Sequence, residues 1–168
     1  MPALLLFRIA GRRLALPLDT VRNVAPVPLL RRPVGAPPFV EGFFDFQGEP
    51  VAAIRPDRLL DLDEEDLGIY APLLVLGGAA RGIALHVARI DQVMRVDDAA
   101  IQPIGDDATL NACVIARIGY GGETIYLLSA SRLLLDAERE TLAAHAAMKR
   151  RRLDALDTGP CDGATDAR

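Results

Sequence analysis

Hydrophobic and polar positions alternate along most of the chain with the two-residue period of β-strands, and the rhythm changes only towards the C-terminus. Leu4-Leu5-Leu6-Phe7-Arg8-Ile9, the turn Ala10-Gly11-Arg12 and the run that follows read as a hairpin, with Leu14, Leu16 and Leu18 on one side. Val21-Arg22-Asn23-Val24 is a short third strand. Pro26, Pro28, Pro33, Pro37 and Pro38 then fix too many φ angles for a helix or a central strand, so this segment is an ordered, extended connection. Residues 42–46 and 49–54 form a strand pair around Gly48, and residues 55–60 hold at most a turn or two of helix. After an acidic run (Asp61, Asp63, Glu64, Glu65, Asp66), strands resume at 73–76, 82–87 and 90–96. A polar loop over 105–111 precedes strands at 112–120 and 124–128. Residues 129–156 lack glycine and proline and are rich in Ala, Leu, Arg and Glu, which predicts a C-terminal helix capped by Ser129 or Ser131. The tail beyond Asp157 reads as disordered.

The chain repeats itself. At a shift of 69, Leu4, Leu5, Arg12, Ala15, Leu16, Val24 and Val27 meet the identical residues Leu73, Leu74, Arg81, Ala84, Leu85, Val93 and Val96. At a shift of 74, Gly48, Glu49, Arg58, Leu59 and Leu60 meet Gly122, Glu123, Arg132, Leu133 and Leu134. Two blocks in the same order, with matched Gly-Glu turns and Arg-Leu-Leu ends, favour a duplication over chance likeness among Leu-rich strands. About five short strands per half are too few for an open sheet but enough to close a small barrel, which removes exposed edges. Two barrels side by side leave a cleft, where ligands tend to bind.

Composition narrows the function. Apolar residues make up 51% of the 168, so a substantial core can be buried, and a formal net charge of −4 offers no concentrated basic face for nucleic acid. Lys149 is the only lysine. Cys113 lies in an apolar run and reads as a buried thiol, whereas Cys161 falls in a polar tail, so a reducing compartment is expected. No apolar run approaches the roughly 18 residues needed to cross a bilayer, and the N-terminus starts directly with strand-like sequence. The chain therefore reads as cytosolic and not membrane-inserted.

The candidate chemistry is sparse. The acidic run could suit a hard cation but lacks the glycine and ligand spacing of a calcium loop, so it reads as a solvated loop. His86 has no second ligand at metal spacing and reads as a packed or surface histidine; His145 falls on the predicted helix. Ser129 and Ser131 have no triad partners, and Gly119, Gly121 and Gly122 have no following lysine or helix, so capping and a hairpin turn account for them. Lys149-Arg150-Arg151-Arg152 offsets the dipole of its own helix. Strand alternation sends Phe44 and Phe46 to the core and Phe43 to the opposite face, which makes Phe43 a candidate for partner contact.

The run Pro33-Val34-Gly35-Ala36-Pro37-Pro38-Phe39-Val40-Glu41-Gly42-Phe43-Phe44-Asp45-Phe46-Gln47-Gly48-Glu49-Pro50-Val51 resembles the signature of CheW domains. In that signature a Pro-rich lead-in reaches a Gly, a hydrophobic run, Asn-Leu-Arg-Gly and a strand ending in Pro-Val. Val21-Arg22-Asn23-Val24 resembles the family's Val-x-Glu-Val strand, and Gly82-Ile83-Ala84-Leu85-His86-Val87 with Ile90 and Val93 resembles its Gly-Leu-x-Val-Asp-x-Val pattern. The resemblance implies an all-β fold of two intertwined five-stranded SH3-like β-barrels, here followed by the C-terminal α-helix. The CheW-like domain would span 1–135, in two related halves of about 1–62 and 72–135, with a helical extension over 136–156 and the tail over 157–168. It implies a non-enzymatic adaptor, without cofactor, metal or catalytic residues, that couples chemoreceptor cytoplasmic tips to the regulatory domain of a CheA-type histidine kinase. Such an adaptor would serve chemotaxis or twitching motility, in the cytoplasm at receptor arrays on the inner membrane. The motif match carries Val21, Asn23, Gly42, Gln47 and Val93 into the receptor groove as protein-binding candidates, with Phe43 added from strand alternation.

Gln47 stands where the family has Arg, Asn23 where it has Glu, and Ala88 where it has Asp. Losing one partner of a buried pair is damaging, whereas two amides can still bond each other. Asn23 and Gln47 are thus expected to face each other across the groove. The changes bear on the partner more than on the fold, and fit a divergent pathway, such as a pilus-linked one, as well as a standard flagellar array. The rival readings are a module of the same fold that competes in the array or docks another partner, and a small metal-dependent hydrolase using the acidic loop.

Overall fold

The computed structural model describes residues 1–60, 62–104 and 113–133. Among these, the chain runs through β1 (Ala3–Ile9), β2 (Arg12–Pro17), β3 (Val21–Ala25), β4 (Val40–Phe46), β5 (Glu49–Ile54) and a single helical turn, α1 (Pro56–Leu59). It continues through β6 (Leu73–Leu76), β7 (Ile83–His86), β8 (Arg89–Arg95), β9 (Ile101–Pro103), β10 (Val114–Tyr120) and β11 (Glu123–Leu128). The strands form a six-stranded sheet, β8-β1-β2-β11-β10-β9, and a five-stranded sheet, β3-β6-β7-β5-β4.

The hairpins are exchanged. β1 and β2 come from the first repeat but sit among the strands of the second, and β6 and β7 make the reverse trade. Each exchange is sealed by one parallel pairing, β2 with β11 (Leu14 beside Tyr126) and β7 with β5 (Ile83 beside Ala52). These two contacts are the same contact under the shifts of 69 and 74. The other registers repeat too. Leu4 faces Pro17 as Leu73 faces His86, and Leu5 faces Val93 as Leu74 faces Val24. The irregularity between Val40 and Gly42 recurs between Val114 and Ala116. The repeat in the sequence is therefore an internal symmetry of the fold, down to its bulges.

Three hairpins turn on two residues each in the left-handed region: Ala10–Gly11 (φ 51 and 73), Gln47–Gly48 (51 and 83) and Gly121–Gly122 (58 and 81). Such turns match the right-handed twist of the strands they join. The glycines at 121 and 122 thus make the hairpin that the sequence predicts. β9 was not expected; its counterpart in the first repeat is an isolated bridge between Arg31 and Phe43.

The core has three parts. Leu4, Leu6, Ala15, Ile118, Ile125 and Leu127 fill the six-stranded sheet, and their equivalents Leu73, Val75, Ala84, Phe44, Val51 and Ala53 fill the five-stranded one. A larger cluster lies between the two, where Leu5, Phe7, Leu14 and Leu16 of one hairpin share a core with Leu74, Leu76, Ile83 and Leu85 of the other. Cys113 is buried in this shared core, and burial pushes its thiol up to about 11, so it is held protonated and packs as an apolar side chain. Phe43 also belongs to the shared core at 3% exposure, which removes it from the candidate surface: both faces of β4 are covered, so alternation chooses between two cores.

Ser129 opens a short 3₁₀ turn over Ala130–Arg132, but its hydroxyl lies 2.9 Å from that of Ser131 and makes no cap bond. The predicted C-terminal helix, its basic cluster, His145, Cys161 and the tail lie outside the described residues.

A shared core makes the two barrels one cooperative unit. Leu16→Ala and Leu85→Ala, at equivalent fully buried positions, are each expected to cost about 2–5 kcal/mol. Denaturant unfolding followed by circular dichroism and by probes placed in either barrel should give coincident transitions. Two separated transitions would contradict the shared core.

Candidate functional site

Two strands end the sheets with most of their side chains in water: β3 in one and β8 in the other. They are equivalent under the repeat, and each presents the same apolar residue at the same place, Val24 at 46% and Val93 at 53% exposure. Val21 is half-buried and packs against the shared core, and Asn23 is exposed. The edge is thus ordered, exposed and partly apolar, which suits a protein contact.

The structure does not pair Asn23 with Gln47. Asn23 Oδ1 accepts from the backbone N–H of Val24 at 2.8 Å, while Gln47 Oε1 accepts from Arg22 Nη2 at 3.0 Å. Arg22, which sequence reasoning passed over, organises this corner. Its guanidinium lies 5.2 Å from the centre of the Phe46 ring and 3.6 Å from Glu49, and Glu49 also binds Arg81 on the β6–β7 hairpin. Gln47 itself sits at φ 51, a conformation costly for a residue with a long side chain, and its equivalent in the other half is Gly121. Ala10 takes the same φ at the first hairpin, so what distinguishes Gln47 is its bond to Arg22.

The equivalent corner of the other barrel carries the opposite charge on its edge strand. Asp91 of β8 stands where β3 has Arg22, and takes Arg8 (3.0 Å), Arg13 (3.2 Å) and Arg89 (3.0 Å). Glu123, the equivalent of Glu49, lies 3.3 Å from Arg13 and 3.4 Å from Arg8. Gly42 has a packing role: a Cβ there would lie 2.8 Å from Leu30 Cβ and 3.2 Å from the Arg31 backbone. Glycine lets the proline-rich segment lie against β4, where Arg31 and Phe43 exchange backbone hydrogen bonds of 2.9 and 2.8 Å. The structure therefore brings Gln47 to the β3 corner through Arg22, puts Val93 on the equivalent edge of the other barrel, and places Gly42 and Phe43 in packing.

A second polar constellation is buried. Arg55 grips Asp57 through two bonds (Nε–Oδ1 3.0 Å, Nη2–Oδ2 2.6 Å) and also reaches Glu41 at 3.3 Å, whose other oxygen meets His86 Nδ1 at 2.7 Å. His86 is thus a packed histidine, as one of its two expected readings has it. Burial works to raise the Asp57 carboxyl, but bonds from Arg55 and from the Glu65 and Arg58 backbones outweigh it and leave Asp57 below its usual value. Burial likewise opposes Glu41, and His86 and Arg55 outweigh it. The acidic run is only partly solvated. Glu64 pairs with Arg58 at 2.8 Å, and the Glu65 carboxylate accepts from the Ala10 backbone at 2.6 Å. Among the described residues no three metal-capable side chains converge.

Residues 3–138 match the family model of the CheW-like domain. Among solved structures the chain resembles the crystal structure of scaffolding protein TtCheW from Thermoanaerobacter tengcongensis. That likeness has a TM-score of 0.73 at 16% identity and covers 81% of this chain and 90% of that one. No curated protein matches the sequence.

A carboxyl held below its unfolded value stabilises the fold fully above that value, and the stabilisation is lost as pH falls through the folded value. Stability should therefore drop on acidification below about pH 4. Asp57→Asn should be less stable at neutral pH by about 3 kcal/mol and show a shallower acid limb in denaturant titrations. Parallel acid limbs would mean that Asp57 does not carry the dependence.

Proposed function

The chain belongs to the CheW-like domain family, and on that premise we propose that it is a non-enzymatic adaptor that couples chemoreceptor cytoplasmic tips to a CheA-type histidine kinase. The setting is chemotaxis or twitching motility, in the cytoplasm at receptor arrays. The observation that carries this reading is the family match over residues 3–138, combined with a strained Gln47 turn, where the motif has Arg, beside an open edge strand. Among the described residues no helix is long and apolar enough to cross a membrane.

Receptor recognition uses the β3 edge with its Arg22–Gln47 corner, together with Val93 on the equivalent edge. In place of the family's Glu and Arg, this corner offers an exposed amide at Asn23 and a guanidinium already shared between Gln47, Phe46 and Glu49. That altered chemistry favours a second reading, in which the same fold competes in an array or serves a divergent, pilus-linked pathway with receptors that match the altered corner.

The test is titration calorimetry of the full chain against two probes from the same organism: a coiled-coil fragment carrying a receptor tip, and the regulatory domain of the kinase. Both should bind saturably. Val93→Glu and Gln47→Gly should weaken the receptor fragment about tenfold, with Gln47→Gly keeping parental stability to within about 1 kcal/mol because glycine accepts the left-handed turn. Binding to neither probe would leave the fold standing and remove the chemotaxis assignment.

A further inference from the structure

The segment joining the two repeats is held at several points. Leu62 N–H donates to the Asp57 carbonyl at 2.7 Å, Glu65 N–H donates to Asp57 Oδ2 at 3.2 Å, and Arg55 Nη2 donates to the Glu65 carbonyl. The Glu65 carboxylate holds the tip of the exchanged β1–β2 hairpin through Ala10, and the Pro72 carbonyl accepts from Val87 N–H at 3.1 Å. Between these anchors Ala71 N–H closes a tight turn on the Gly68 carbonyl at 3.0 Å, which puts Ile69 and Tyr70 at its two corners. They are 87% and 91% exposed.

Turn corners ordinarily go to Gly, Asn, Asp, Ser or Pro, each of which helps the backbone to bend. A β-branched aliphatic and an aromatic side chain do nothing for the turn and leave adjoining apolar surface in water. The barrels do not require the machinery that holds it either. The positions equivalent to Glu41, Arg55, Asp57 and His86 are Ile115, Ser129, Ser131 and Pro17, so the other half builds the same strands without a buried charge chain. The chain of charges serves the connecting segment. Earlier in the same segment, Asp63 and Asp66 are exposed and make no ion pair among the described residues.

We propose that the Ile69–Tyr70 turn is a docking knob for a protein partner whose apolar pocket is rimmed by arginine or lysine. A turn held before binding loses little conformational freedom on docking, and a tyrosine beside a large aliphatic side chain is suited to anchor an interface. The two unpaired carboxylates favour a basic rim and disfavour anionic lipid headgroups and nucleic acid. The proposal does not depend on the adaptor reading.

The test replaces Tyr70 with photoreactive benzoylphenylalanine in the full chain, expressed and irradiated in its own cells, with the same label at Val93 as the independent report on the edge strands. The expected result is a protein adduct at position 70 whose cross-linked peptide maps to an apolar pocket with a basic rim. Asp63→Lys with Asp66→Lys should cut its yield about tenfold. Ile69→Ser with Tyr70→Ser should melt with the parent and stop an untagged chain from competing for the adduct. No adduct, an adduct only to lipid or to a second copy of this chain, a yield indifferent to charge reversal, or a large loss of stability in the double serine variant would each overturn the proposal.

Discussion

The fold depends on two parallel strand contacts, β2 against β11 and β7 against β5. Each inserts a hairpin from one repeat into the sheet of the other, and the core between the barrels follows from that exchange. Once Leu14 and Leu16 lie back to back with Ile83 and Leu85, neither barrel has a complete apolar surface of its own. The same insertion leaves β3 and β8 as terminal strands, because the hairpins that pair with them on one side belong to the opposite repeat. The open edges at which a partner can dock are thus a consequence of the contacts that hold the barrels together.

An internally repeated fold carries its own control. Wherever both halves place a similar residue, as with Leu4 and Leu73 or Ala15 and Ala84, the requirement is structural. Departures are more informative. Arg22 opposite Asp91 reverses a charge at equivalent edges, Gln47 opposite Gly121 keeps a strained side chain, and the Arg55–Asp57 pair stands opposite two serines. Buried charge and backbone strain both oppose folding unless something compensates. That the Arg55–Asp57 pair and the Gln47 side chain have no counterpart at the equivalent positions says that they answer demands the barrel itself does not make.

Much of this was legible in the chain. Alternation locates ten of the strands to within a few residues, and identical residues at two shifts reveal the duplication in the sequence itself. The exchange of hairpins between sheets had no local signature, since the pairing of Leu14 with Tyr126 spans most of the described chain. β9 escaped because Ile101-Gln102-Pro103 is too short to show alternation. Alternation predicts Phe43 on the surface because it separates two faces but does not reveal that both are buried. The sequence reads Glu65 as solvated with its acidic neighbours because nothing in Arg55-Pro56-Asp57 announces a buried pair that captures a backbone ten residues on.

The motif positions divide by the same reasoning. Gly42 is explained by the close approach of the proline-rich segment, so its identity speaks for packing and says little about a partner. Gln47 is explained by nothing in the turn, where glycine would sit more easily, and its amide is spent on Arg22. Amides stand at Asn23 and Gln47, and the positive charge of this corner is carried by Arg22, shared with an aromatic ring and a carboxylate. Such a corner presents a softer, delocalised positive face instead of a discrete ion pair. The strands that support this corner keep the register of both halves, so its chemistry is set by side chains and not by the backbone.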